Sequence, residues 1–178
     1  MLPLFLALVF IAILLIVIIA GRPDEFTVSR AITIAATAEK VFPHVNDLHL
    51  WQAWSPWAKL DPNSKSTFSG PDAGVGAAMA WVGNNKVGEG KMTITENQPS
   101  TLIRFRLDFL KPMQATNTAE FVFLPEGHQT IVTWRMHGKN NLMGKLFGLL
   151  INCDKMVGSQ FQKGLSALKS IAESATKT

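Results

Sequence analysis

The sequence predicts an α+β fold in which an antiparallel sheet is covered on one face by a long C-terminal helix, with a separate apolar helix in front. Three observations predict it. Residues 1–20, MLPLFLALVFIAILLIVIIA, carry no charged or strongly polar side chain. Residues 66–138 break into short β-like runs punctuated by "PDAG", "GNNKVG", "NQPS", "LKPM" and "PEGH", the spacing of an antiparallel meander. Residues 142–174 return to helical period, with Leu142, Leu146, Leu149, Leu150, Cys153, Val157, Phe161, Leu165, Leu168 and Ile171 on one stripe.

The first element, as a helix of about 30 Å, matches a hydrocarbon core. A cleaved signal would carry a basic n-region, a shorter apolar run and a small-residue cleavage site. Here no Lys or Arg precedes the run, and "IIAGR" is a poor cleavage site. A retained single-pass anchor over 1–21 is the expectation, with a membrane as partner through residues 1–20. Arg22, Arg30 and Lys40 follow it, so the positive-inside rule places the remaining domain in the cytoplasm. The linker 22–25 is short. Gly21 to Glu25 span at most about 18 Å, so the domain, 26–174, would sit against the bilayer. Residues 175–178 are a tail.

Phe26 to Ala36 alternates as a strand, with Phe26, Val28, Arg30 and Ile32 on one parity. Thr37 is a plausible N-cap. Val41, Phe42, Val45, Leu48 and Trp51 follow helical spacing, but Pro43 interrupts, predicting two short helices or one kinked helix. Pro56 ends the element. Strands are expected near Lys65–Ser69, Gly76–Val82, Gly90–Glu96, Leu102–Phe109, Thr116–Leu124 and Thr130–His137. In the clearest of them Ile103, Phe105, Leu107 and Phe109 alternate with Arg104, Arg106 and Asp108, as in a sheet wetted on one side. As one helix, 142–174 would run about 50 Å, too long for such strands. A break is expected around Asn152 to Ser159.

Composition narrows the function. The formal charge is +4 and the lysines are scattered singly, with no basic run and no zinc-finger spacing. A nucleic-acid partner is not expected. Cys153 is the single cysteine, so no internal disulfide forms. His44 and His49 are five apart, not on one helical face for metal. No HExxH, GxSxG or GxxxxGK[ST] is present, and "GPDAGVG" and "GNNKVGEG" read as turns. No cofactor or metal site is predicted. His137, Asp108 and Glu120 lie in strands, but parity turns them to solvent, so no catalytic residue is assigned.

What remains is apolar and aromatic, with eleven Phe, five Trp and seven Met. Parity puts Met79, Trp81, Met92, Ile94, Phe105, Phe109, Phe121, Phe123, Val132, Trp134 and Met136 on the inner face of the sheet. A domain of this size buries such residues in any case. The methionines favour a pocket, because flexible thioethers suit varied apolar guests.

The opening strand followed by "ATAEKVFPHVNDLHLWQAWSPW", then "VGEGKMTITENQPSTLIRFRLDF", "TIVTWRMHGKNNLMGKLFGLL" and the closing "VGSQFQKGLSALKSIAE", resemble the START-like, helix-grip superfamily often called SRPBCC. Within it the chain is similar to polyketide cyclase/dehydrase-type members. The likeness covers roughly residues 26 to 174. It implies a curved seven-stranded antiparallel sheet around the C-terminal helix, enclosing a deep apolar cavity for a lipid-like or other hydrophobic small molecule. The expected lining is Trp54, Trp57, Met79, Trp81, Met92, Phe105, Phe109, Phe121, Phe123, Trp134, Met136 and Phe161, with Trp51 filling the core. Two alternatives stand beside this carrier reading. One is a cyclase- or hydrolase-type enzyme using the same cavity. The other is a protein-interaction or stress-response module whose cavity is collapsed.

Overall fold

A computed structural model describes residues 2–140, 144–145 and 152–175, without the side chains at positions 2, 5, 7, 8, 11, 12, 15 and 153. Alternating apolar strands give a seven-stranded, wholly antiparallel sheet. Its strands are β1 (Glu25–Ile34), β2 (Lys65–Ser69), β3 (Ala78–Val82), β4 (Glu89–Gln98), β5 (Leu102–Lys111), β6 (Ala115–Glu126) and β7 (Gln129–Lys139). The spatial order is β1-β7-β6-β5-β4-β3-β2. β2 to β7 run as a meander, and β1 closes against β7 with Val28 opposite Met136 and Arg30 opposite Trp134. The register shift at Glu89/Gly90 leaves Leu110 of β5 as the extra residue and that at Ile94/Glu96 leaves Thr95 of β4, and such bulges bend the strand that carries them.

Between β1 and β2 the chain crosses under the sheet in short helical pieces. These are α2 (Ala38–Val41), α3 (Pro43–Asn46), a 3-10 turn at Trp51–Ala53 and α4 (Pro56–Leu60). The two prolines start helices at N1 or N2, where a missing N–H costs nothing. Thr37 holds the N-cap position of α2 but makes no side-chain cap bond.

The last helix, α5 (Cys153–Ser174), is capped by Asn152, whose side chain accepts from the Lys155 amide at 2.9 Å. The expected break therefore falls at the start of the 152–159 window, and the helix runs unbroken through the rest of it. The stripe residues Leu142, Leu146, Leu149 and Leu150 lie outside the described residues, as do Met1 and most of the tail. Phe161, Leu165, Leu168 and Ala172 form the buried edge of α5. The helix packs chiefly on β1. Two glycines set the approach. A Cβ at Gly158 would lie 2.1 Å from Arg30 Nη2, and one at Gly164 would lie 2.9 Å from Trp134 Cζ3 and 3.1 Å from Pro56 Cδ. Arg30, on the inner parity of β1, reaches over Gly158 to both Asp154 oxygens at 3.0 Å. Hydrogen bonding from Arg30 holds the Asp154 carboxyl below the usual carboxylate range.

The apolar N-terminal segment is helical, α1 (Leu2–Ala20). The single-pass anchor expected from the sequence is not supported by the described residues. Among the described residues no helix is long and apolar enough to cross a membrane. The 19 residues of α1 rise about 28 Å, at the short end of what a hydrocarbon core needs.

Gly164→Val pushes a branched side chain into Trp134 and Pro56. We expect a loss of about 1–3 kcal/mol, read as a lower urea midpoint.

Candidate functional site

The inner face of the sheet is large at its rim and small at its centre. Ala119 of β6 stands between Phe105 of β5 and Met136 of β7. Gly90 of β4 is overlain by the Trp81 ring, 2.5 Å from where its Cβ would be. α5 covers the β1 side, and among the described residues only side chains of α4, the 3-10 turn and the start of α5 reach over β3 to β5. A cavity of about 210 Å³ results. Its floor is Met79, Met92, Phe105, Ala119, Trp134 and Met136, and its roof is Trp51, Trp57, Ala58, Val157 and Phe161. Trp81, Val87, Leu107 and Phe109 form one flank. The volume lies between the roughly 150 Å³ that admits benzene and the roughly 300 Å³ where drug-sized pockets begin.

Nine of the expected lining residues meet here, namely Trp57, Met79, Trp81, Met92, Phe105, Phe109, Trp134, Met136 and Phe161. Three do not. Trp54, Phe121 and Phe123 are sealed beneath other rings, each at most 1% exposed. Trp51 crosses Phe121 at 5.7 Å, Trp54 crosses it at 5.8 Å, and Phe42 covers Phe123 at 5.3 Å. Trp51 and Trp54 exchange the places expected for them. Trp54 is the core filler, its Nε1 donating to the His44 carbonyl at 2.9 Å, and Trp51 lines the cavity. The 3-10 turn sets this, because it places the two indoles 4.4 Å apart on one side with Trp54 the deeper. Sequence reasoning also passed over Ala119, Leu107 and Val157. Their signal was present, since each shares the parity or stripe of a chosen neighbour.

The polar lining is Gln52, Ser55, Ser64 and Ser66, and no described lining residue is titratable. Trp134 stacks flat on Phe161 at 4.0 Å and 8°. Its Nε1 is buried with no hydrogen-bond partner among the described residues. The charged residues of β4 to β6 face away. Arg104 donates from Nε to Glu120 at 3.2 Å and from Nη1 to Glu96. Asp108 accepts from Arg106 at 2.9 Å and from Thr116 at 2.7 Å. Partial burial raises its pKa, but these bonds and the charges of Arg106 and Lys91 outweigh burial and leave it lowered. His137 sits opposite Thr27 and Thr118 on the same outer parity. Asn140 is spent on the linker, donating from its backbone N to Asp24 O at 2.7 Å and from Nδ2 to Pro23 O at 3.2 Å. Among the described residues no group of three or more His, Cys, Asp or Glu could hold a metal ion.

A curved antiparallel sheet, a terminal helix gripped against it and an apolar hollow between them define a helix-grip domain. Residues 25–173 match the polyketide cyclase/dehydrase and lipid transport family, and the chain belongs to that family. The fold is shared with a protein of Chromobacterium violaceum, at 16% identity and TM-score 0.60 over 85% of this chain and 99% of that one. It is shared with the Aha1 dimer from Colwellia psychrerythraea, at 18% identity and TM-score 0.58 over 83% and 96%. The di-domain ARO/CYC StfQ of the steffimycin biosynthetic pathway gives 10% identity and TM-score 0.62 over 86% of this chain and 52% of that one. No curated protein matches the sequence significantly.

Trp54→Ala empties a sealed site and should cost about 3–5 kcal/mol. Trp57→Ala, at a half-exposed ring, should cost distinctly less. Paired urea titrations check the order; equal costs would mean that the two rings are equally structural.

Proposed function

We propose that the domain binds and carries an uncharged hydrophobic or amphipathic small molecule between the sheet and α5. The observation that carries this reading is a hollow of about 210 Å³ lined by aromatic, aliphatic and thioether side chains, with no titratable group among its described lining residues. A charged guest would lose its hydration there without a counter-ion. Affinity would come from apolar burial, at about 25 cal/mol per Å². Trp134 lines the hollow and its Nε1 lacks a partner among the described residues. A guest oxygen accepting from it would relieve a cost of about 1–3 kcal/mol.

Membership of a family described by both cyclase/dehydrase and lipid transport favours one rival, a cyclase-type enzyme. Such chemistry moves protons and needs an acid or base within hydrogen-bond reach of the guest. Among the described lining residues the only polar groups are serine hydroxyls, a glutamine amide and indole N–H groups, which supports carriage over catalysis. The open volume likewise speaks against a collapsed interaction module. We further propose that α1 tethers the domain to a membrane. Its exposed Leu4, Phe10, Ile16 and Val17 point around the whole helix, as lipid-embedded helices do. The positive charges of Arg22, Arg30 and Lys40 after α1 support a cytoplasmic side for the domain.

1-Naphthol, neutral and of fitting size, should bind saturably at one site, more tightly than naphthalene. Ala119→Phe fills the centre and should weaken binding by at least about tenfold, or 1.4 kcal/mol, with the thermal melt retained. Trp134→Phe keeps the stack on Phe161 and should abolish the preference for naphthol over naphthalene. Undiminished binding to Ala119→Phe would reject the cavity as the site.

A further inference from the structure

The cavity opens toward one end of the sheet, and that end is where α1 joins the domain. Strand register fixes the geometry. Glu25 at the start of β1 pairs with Lys139 at the end of β7, Asn117 near the start of β6 pairs with Gly138, and Glu89 at the start of β4 pairs with Lys111 at the end of β5. Val82 closes β3 opposite both Glu89 and Lys65. Exposure rises toward this end. Along β5, Phe105 is buried, Leu107 and Phe109 are half-buried and Leu110 is exposed. Val87 and Val157, also half-buried, flank the same opening. The opposite end is shut by Phe42, Trp54 and Phe123, all buried.

The rim of this mouth is apolar and basic. Outside α1, the exposed large apolar residues of the described chain include Val82 at 54%, Leu110 at 54%, Met113 at 41% and Met156 at 52%. All four lie here, and only Leu50, Val75 and Leu124 lie elsewhere. Arg22, Lys65, Lys86, Lys139 and Lys155 are exposed around them, and of the exposed acids at this end Asp24 and Asp154 are paired to Lys145 and Arg30 while Glu25 faces Lys139 across the strands. The linker between α1 and β1 is pinned to the same end. Asn140 holds Pro23 and Asp24, and Lys145 Nζ donates to Asp24 Oδ1 at 2.6 Å, a bond that holds the Asp24 carboxyl below its ordinary range. An apolar helix, an apolar rim and a ring of cations thus meet at the mouth of a lipophilic cavity.

We propose that this rim docks on the surface of an anionic bilayer with Leu110 and Met113 inserted, so that guests pass between lipid and cavity without entering bulk water. Exposed apolar side chains flanked by cations gain from both the acyl boundary and anionic headgroups. α1, leaving from the same end, fixes the orientation. The proposal rests on the cavity being the ligand site.

The test uses the full chain in phosphatidylglycerol–phosphatidylcholine vesicles. In a Cys153→Ser background, an environment-sensitive label is placed through Leu110→Cys or Met113→Cys, and through Leu124→Cys at the far end. Nitroxide lipids should quench labels at 110 and 113 but not at 124. Equal quenching at all three, or none at 110 and 113, overturns the docking. Shielding at 110 and 113 without lipid quenching would assign the rim to a second copy of the chain and overturns it as well. An iodophenyl diazirine dissolved in the vesicles should label β5 and β7 on brief photolysis. Leu110→Asp/Met113→Asp should abolish that labelling, with α1 still labelled and 1-naphthol binding from water unchanged. If instead 1-naphthol fails to bind the wild-type chain, the cavity reading fails while the quenching pattern still reports on docking.

Discussion

One helix cannot fill the concave face of a seven-stranded sheet, and α5 does not try to. Gly158 and Gly164 let its backbone come so close to Arg30 and Trp134 that the helix is committed to the β1–β7 side. The Arg30–Asp154 pair fastens its first turn there. Among the described residues, the remaining concavity over β3, β4 and β5 is roofed only by side chains from α4, from the 3-10 turn and from the start of α5. Side chains packed across a bend leave gaps that a straight helix would have closed. The hollow follows from where the helix is held.

The aromatic residues divide into two tasks along the strand direction. At the closed end, Phe42, Trp54, Phe121 and Phe123 cover one another with edge-to-face or tilted contacts, which join large apolar areas without voids. Toward the mouth the rings become walls. Trp81 meets Phe109 edge-on at 5.8 Å, and Trp57 meets Trp134 at 5.6 Å. Ala119 and Gly90, too small to reach across, keep the space between these walls open. The same residue type therefore seals one end and frames the other, and the difference is made by the small neighbours.

Charge is kept off this interior. Glu96, Arg104 and Glu120 pair on the convex face, as do Arg106 and Asp108. Such pairs near the surface add little stability, but their placement leaves hydroxyl, amide and indole groups as the only polar features among the described lining residues. Asp61, buried beside the mouth, is occupied by the amides of Asn63 and Asn84 at 3.1 and 2.6 Å. It ties the β3–β4 turn, and with it Val87, to the end of α4.

By itself the sequence determined the α+β order, the number of strands, the inward parity and the outward charges. Each of these is local: alternation at period 2, helical stripes at period 3.6 and turn residues between them act within a few positions. The resemblance to helix-grip proteins supplied the shape, and most of the lining could be read once that shape was assumed. Only the tertiary structure decided which inward residues border empty space. Trp51 and Trp54 are three apart and chemically identical, yet one faces the hollow and one is sealed. Phe105 and Phe121 share a face, yet only Phe105 meets the cavity. Parity says which side of a sheet a residue is on. How deep it lies, and what covers it, depends on where a distant helix comes to rest, and that was settled by two glycines and an arginine far apart in the chain.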